Sequence, residues 1–492
     1  MEQKLTDQEL ARREKLARLQ EMGVDPYGQK FERTDLIKDV RAKAAGKTNE
    51  ELEANPINVT IAGRIMALRK MGKAAFMNIK DVTGNIQCWL GINVLGEESY
   101  NVFKISDLGD IVGVSGRLML SGTGELTVRV EKYTHLTKAL RPLPEKFHGL
   151  TDVEERYRHR YVDLIMNDES MKIALARPKV IRAIQNYCDS LGFTEVETSI
   201  LSPILGGAAA RPFVTHHNTL DKDFYLRIAT EISLKKCIVG GMEKVYEIGR
   251  LFRNEGMDTK HNPEFTTIEL YQAYGDLQDM RHFAENLFRE VALKVVGSTK
   301  IPYGDGILDL GKPFAWKTMK ECVLEATGVD FNKVTTMEEA VKLAHEHGIK
   351  LEKHWNSVGY ILNAFFEEKC DDLLREPTFV HEYPIEVSPL TKKCKDNPMF
   401  TDRFELFIGG MEYGNAYSEL NDPLDQKERL IKQLEAKAAG DEEASEMDDD
   451  FLEALEYGMP PTGGIGIGID RFVMLMTNQT SIREIILFPC MR

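Results

Sequence analysis

Arg253-Asn254-Glu255, a short loop and then His261-Asn262-Pro263-Glu264-Phe265 gather charged and aromatic side chains at the tip of what reads as a long hairpin between about Lys244 and Tyr274. Residues two apart on a strand share a face. That rule groups Arg253 with Glu255 and, on the return strand, Phe265 with Glu269 and Tyr271. The face is too polar for an ordinary core. Surface ion pairing would account for Arg and Glu, but it accounts poorly for Phe and Tyr. A cradle accounts for all of them, with Phe stacking a flat ring and Arg gripping an anion. A second group lies within Arg403–Asp422, where Glu405 and Glu412 flank the turn Gly409-Gly410 and are expected to cross-pair on neighbouring strands. Two close carboxylates repel unless a cation lies between them. A hard divalent ion such as magnesium, shared with phosphates, would serve. Asn415, Tyr417 and Glu419 follow with period two, either as a polar strip facing a ligand or as an exposed edge strand. A third group, Gly463–Phe472, alternates Gly with Ile and runs into a helix near Asp470, with Arg471 at its start placed to address an anion. It lacks the Gly-x-Gly-x-x-Gly spacing of a dinucleotide fold and the Gly-Lys-Ser/Thr end of a P-loop.

The scaffold for these groups is ample. The chain has 492 residues, about three domains' worth at roughly 150 each. Its hydrophobic fraction of 42% and charged fraction of 29% exclude a largely disordered or fibrous chain. Lys plus Arg number 63 and Asp plus Glu 78, so the net charge is −15, which alone does not suggest a nucleic-acid partner. Nine of those carboxylates, with no Lys or Arg, fall between Gly440 and Glu456 and read as a solvated face, so a local binding surface elsewhere stays open. No run approaches the ~18 apolar residues of a membrane span. Met1–Leu10 is charged, so no secretory signal is expected, and the seven cysteines include no CxxC pair. A cytoplasmic location is the expectation.

Thr6-Asp7-Gln8-Glu9 is a capping box, with Leu5 and Leu10 as its staple, and predicts a helix through Glu21 that stops at Gly23. A polar segment completes an N-terminal helical extension over 1–56. From Ile57 the period becomes two: Val59 and Ile61, then Ala75, Met77 and Ile79, then Ile86, Cys88 and Leu90, and later Leu126, Val128 and Val130. Short strands with Gly-rich turns predict a small β-barrel over 57–140, and Pro142 and Pro144 mark a linker over 141–160. Phe76 is out of phase with its strand's apolar set and lies beside Asn78, after the basic run Arg64, Arg69, Lys70 and Lys73; Gln87 faces outward on the next strand. A lone outward Phe is most simply a packing residue. An α+β domain is expected over 161–492, with a helix over Ile181–Leu191, a strand over Phe193–Thr198, a helical insertion near 316–375, strands over Arg403–Ile408 and Met411–Leu420, and a helix from Pro423.

Phe252–Glu255 resembles the second signature of class II aminoacyl-tRNA synthetases, Gly466–Arg471 the third and Glu195–Thr198 the first. Gly206-Gly207-Ala208-Ala209-Ala210-Arg211-Pro212-Phe213, the run Arg253–Thr266, Asn415–Asp422 and the barrel segment Ala62–Phe76 are similar to bacterial lysyl-tRNA synthetases. The resemblance spans nearly the whole chain. Ser199 stands where the first signature usually has proline, and Ser233 where an aromatic residue is expected. The resemblance implies an N-terminal OB-fold followed by a catalytic domain built on an antiparallel sheet flanked by helices. It implies ATP, L-lysine and tRNA(Lys) as partners, Mg2+ as cofactor and a homodimer, with lysyl-adenylate formed first and lysine then passed to the 3′ end of the tRNA. By the same resemblance Arg253 would bridge the substrate carboxylate and the α-phosphate, and Arg471 would face the γ-phosphate. Glu255 would take the adenine amino group, Phe265 would stack on the ring, His261 and Asn262 would line the ATP site, and Glu405 and Glu412 would hold magnesium. Gly207 and Glu231 would take the α-ammonium of lysine, and Glu419 and Tyr271 its side-chain ammonium, with Glu269, Asn415 and Tyr417 shaping the pocket. Arg69, Phe76, Asn78 and Gln87 would form the anticodon surface. Two alternatives are an adenylating relative that passes lysine to a protein, and a regulator with an inactive synthetase-like domain.

Overall fold

The computed structural model describes residues 4–144, 150, 152–208, 210–438 and 446–491; Ala209, parts of the linker and the first part of the acidic run lie outside the described residues. The chain divides into two compact units, Met1–Thr151 and Asp152–Arg492.

In the first unit the helix Asp7–Glu21 begins at a complete capping box on Thr6 and Glu9, and Gly23 follows in the left-handed region. The polar segment behind it holds two short helices, Ile37–Ala44 and Asn49–Ala54; the first buries Ile37, Val40 and Ala44, and the second has its own capping box, Thr48 with Glu51. Five strands close into a barrel: Asn58–Met71, Ala74–Asp81, Gly84–Gly91, Ile111–Leu120 and Leu126–Thr137, the last lying between the third and fourth. The alternating residues expected to face inward do so: Val59, Ile61, Ala75, Met77, Ile79, Ile86, Cys88, Leu90, Val128 and Val130 are buried. The sequence pattern missed Ile111–Leu120 because glycines interrupt it. A Cβ at Gly116 would meet the Arg129 carbonyl oxygen at 2.1 Å, and one at Gly113 would meet the Phe31 ring at 2.4 Å.

In the second unit eight strands form one sheet, in the order Ala315–Thr318, Thr378–Pro384, Phe400–Ile408, Met411–Ser418, Thr462–Gly468, Glu264–Ala273, Lys244–Phe252 and Thr194–Glu195. Pairing is antiparallel throughout the interior and parallel at the two edge pairs, so the sheet is mixed. One face is apolar. Ile268, Leu270, Phe404, Leu406, Ile465 and Ile467 pack there in one core with Ile184, Leu287 and Phe472 from the helices Asp168–Ser190, Leu277–Val295 and Ile469–Thr477. Because side chains alternate across a strand, the other face receives Phe265, Glu269 and Tyr271, Glu405, and the glycines 464, 466 and 468.

The helix expected over Ile181–Leu191 reaches back to Asp168, runs through Pro178 and is capped by Asn167. The strand expected over Phe193–Thr198 shrinks to Thr194–Glu195. The helical insertion begins at Met319, capped by Thr318, and Trp316 belongs instead to the edge strand Ala315–Thr318. The insertion helices Met319–Thr327, Met337–Glu346 and Val358–Lys369 share a separate core. Among the described residues no helix is long and apolar enough to cross a membrane.

Candidate functional site

The polar face of the sheet floors a cavity of about 1270 Å³. Gly207, Glu231, Arg253, Glu255, His261 and Asn262 line it, as do Phe265, Glu269, Tyr271, Glu405, Glu412, Asn415, Tyr417 and Arg471. Residues far apart in sequence are therefore brought together in one cavity, but two local expectations change and one alternative falls away.

Arg253 and Glu255 do not share a strand face. The strand stops at Phe252, and both lie in the loop that precedes Glu264. Arg253 N–H still donates to the Pro263 carbonyl (2.9 Å), which closes the loop and points its side chain into the cavity. Glu405 and Glu412 are not directly opposed: Glu405 lies across from Asn415 and Glu412 from Phe407, with an irregularity between. This bulge adds a residue to the second strand and turns Glu412 onto the same face as Asn415 and Tyr417. Finally, the strip Asn415–Glu419 is no exposed edge, because its strand lies between Phe400–Ile408 and Thr462–Gly468.

At one end of the cavity the Arg253 guanidinium stands 5.2 Å from the centre of the Phe265 ring, and its buried Nε has no hydrogen-bond partner. Arg471 donates to the Glu412 carbonyl (2.6 Å), lies 3.5 Å from the Glu412 carboxylate, and places Nη2 3.4 Å from His261 Nε2. The helix carrying Arg471 is anchored by its neighbour Asp470. That carboxylate accepts from the Thr266 N–H (2.7 Å) and pairs with Arg177 (2.5 Å), which also donates to the Thr266 hydroxyl. Asn262 lines the cavity with its amide committed to backbone, donating to Glu264 and accepting from the Cys490 N–H. Two arginines around an aromatic face suit an anion joined to a flat ring.

Midway, Glu405 accepts from Arg403 (2.5 Å) and from the Tyr383 hydroxyl (2.8 Å). Burial, with the Glu412 charge beside it, pushes the Glu405 carboxyl above its ordinary range. Two carboxylates on one wall, next to arginines suited to phosphates, fit a magnesium ion, which commonly takes one or two protein carboxylates and completes its shell with water and phosphate oxygens.

The far end is acidic. Glu231 and Glu269 line it, and Gly207 sits above Glu231 in the left-handed region at φ +87°, where an added Cβ would meet that of Ala229 at 3.2 Å. Burial and then the Glu231 charge push Glu269 up to about 7. Asn415 accepts from Arg403 Nε (3.1 Å) and donates to the Tyr417 hydroxyl (2.8 Å). Glu419 lies outside the lining. It is 0% exposed, behind Tyr271 and Gly464, with its backbone N–H donating to the Thr462 carbonyl. Lys235, which the sequence reading passed over, is also 0% exposed and sits 2.5 Å from both Glu231 and Glu419. Its spacing of four from Glu231 on a helix is the ion-pair signal that could have flagged it. Nothing in the structure gives Ser199 or Ser233 a particular role.

On the barrel, Arg69 pairs across from Phe76, Phe76 from Trp89, and Asn78 from Gln87, so all five occupy one outer face. Gln87 accepts from the Thr127 hydroxyl and donates to Glu125. Trp89, with the Arg129 guanidinium 5.7 Å from its ring, was not singled out from the sequence. Two members of the basic run are engaged elsewhere: Arg64 donates to the Gly109 carbonyl, and Lys70 to those of Lys104 and Ser106.

Comparison with known proteins agrees with both halves. A family described as tRNA synthetases class II (D, K and N) matches residues 152–492, and one described as OB-fold nucleic acid binding domain matches residues 59–136. A lysine–tRNA ligase of Lysinibacillus sphaericus is 55% identical over 490 residues, covering 100% of this chain and 98% of the relative. Lysine–tRNA ligases of Lactiplantibacillus plantarum and Streptococcus mutans are each 53% identical, covering 100% of this chain and 98% and 99% of their own.

Proposed function

The chain belongs to the class II tRNA synthetases (D, K and N), and we propose that it activates L-lysine with ATP and transfers it to the 3′ end of tRNA(Lys). The observation that carries this reading is the polarity of one cavity, with paired arginines at one end and buried carboxylates at the other. Lysine presents two ammonium groups, each needing a carboxylate once desolvated. Neutral amino acids would leave such carboxylates unpaired and be rejected.

Phosphoryl chemistry of this kind needs alignment and charge neutralisation more than covalent help. Phe265 stacks the adenine and Glu255 accepts from its amino group. Arg253 holds the lysine carboxylate against the α-phosphate, while Arg471 and His261 hold the outer phosphates and Asn262 fixes the loop beneath them. Glu405 and Glu412 would hold Mg2+, which when bound supplies positive charge to the triphosphate. Glu231 and Gly207 take the α-ammonium; Glu419 and Tyr271 take the side-chain ammonium at the closed end, with Glu269, Asn415 and Tyr417 fixing the pocket. The barrel favours tRNA over a protein as acceptor. We read the enzyme as a cytosolic homodimer with domains over 57–140 and 161–492.

Lysine-dependent exchange of pyrophosphate into ATP, followed by charging of tRNA(Lys), tests the reading; exchange without charging would point to a different acceptor. Glu269, pushed up to about 7, binds a proton below that pH and then no longer attracts an ammonium. The lysine KM is therefore expected to rise about tenfold as pH falls from about 8 to about 6, and a flat profile would remove Glu269 from the pocket. On the barrel, Phe76 is half-buried on the face shared with Arg69, Asn78 and Gln87. Base stacking is worth ~1–3 kcal/mol, so Phe76→Ala is expected to weaken tRNA charging about tenfold or more and leave pyrophosphate exchange nearly untouched. Normal charging, or equal loss of exchange, would make Phe76 a packing residue.

A further inference from the structure

Lys235 takes no part in the roles above. The helix Glu231–Val239 places it one turn beyond Glu231, fully buried, with its ammonium 2.5 Å from Glu231 Oε1 and 2.5 Å from Glu419 Oε2. Phe451 covers it, the ring centre 5.9 Å away. Burial alone would lower the pKa of this ammonium, but the two carboxylates carry it above its ordinary value. The other ionisable groups facing this end are Glu269, Tyr271 and Tyr417.

Two features make the arrangement more than a core ion pair. Glu231 belongs to the cavity wall while Glu419 lies behind it, so Lys235 ties the wall to the closed end. Glu419 also commits only one oxygen to Lys235. Neither of its carboxylate oxygens has a hydrogen-bond partner; Oε2 has the ion pair to Lys235, while Oε1 lies against Gly464, which lines the cavity and where an added Cβ would come within 2.2 Å of it.

We propose that Lys235 is a positioning and specificity residue for the amino-acid substrate, holding Oε2 of Glu419 and keeping Oε1 free for a side-chain ammonium. The proposal rests on the lysine-activating reading above. The group count fits that reading: three carboxyl groups, Glu231, Glu269 and Glu419, share this end of the fold with one resident ammonium. The two ammonium groups of lysine give the remaining carboxyl groups partners, and its carboxylate goes to Arg253. Without Lys235 the carboxyl groups at this end lose their resident cation, and Glu419 loses the partner that orients it.

The test measures pyrophosphate exchange by Lys235→Met and Lys235→Gln, with lysine and ATP varied separately. Both variants are expected to raise the lysine KM about tenfold or more while the ATP KM stays within about twofold. An unchanged or lower lysine KM, or equal rises for both substrates, would overturn the proposal. So would loss of folding in both variants, since Lys235 would then serve the core and not the pocket. Absence of lysine-dependent exchange by the unsubstituted chain would overturn the parent reading as well, whereas normal variants beside an active parent would overturn this inference alone.

Discussion

Replacing Glu419 by Gln is expected to raise the lysine KM by about a hundredfold or more while moving the ATP KM little, since breaking one partner of a buried charge pair costs about 3–5 kcal/mol. The substitution keeps the shape of the side chain and removes its charge. Glu419 is 0% exposed and its backbone is pinned to Thr462, so it cannot swing away to make room for water. Part of the cost already falls on the free protein, because Lys235 shares the carboxylate. The melting temperature is therefore expected to drop as well, and the lower end of that range is the expectation for binding. Steady-state exchange with each substrate varied in turn is the measurement. Equal losses for lysine and ATP would show that Glu419 has been given the wrong role.

Arg253→Ala is expected to lower the rate of exchange by about two to three orders of magnitude, the usual cost of losing a charge aimed at the transition state. The buried Nε of Arg253 has no hydrogen-bond partner, and its guanidinium stands 5.2 Å from the centre of the Phe265 ring on the cavity wall. Arg253→Lys keeps the charge and loses the planar fork, so it is expected to recover only part of the activity. Exchange within about tenfold of the parent in the Ala variant would place the phosphates elsewhere.

What was legible in the sequence follows from period and spacing. Phe265, Glu269 and Tyr271 sit on one strand face because period two puts them there, and the barrel core follows the same rule through Val59, Met77, Cys88 and Val128. Capping boxes located helix starts, as at Thr6. What escaped depends on contacts between distant segments or on local irregularity. Glycines at 113 and 116 hid a barrel strand because backbone and Phe31 occupy the space a side chain would need. A bulge, invisible to a period-two rule, turns Glu412 toward Glu405's side of the sheet. Arg253 and Glu255 reach the cavity from a loop, where strand alternation has no meaning. Lys235 pairs with Glu231 locally and with Glu419 only through the fold. The clustering of site residues in one cavity is thus a property of the fold, while their chemical types were readable beforehand.

If this cavity selects lysine by charge, a panel of amino acids in pyrophosphate exchange will separate substrates by their side-chain ammonium. The family takes its description from three amino acids, D, K and N, so aspartate, asparagine and lysine are the informative substrates, with norleucine as the lysine shape lacking the side-chain amine. Exchange is expected with lysine and none above background with the other three. Exchange with aspartate, asparagine or norleucine at a rate comparable to lysine would contradict selection by charge.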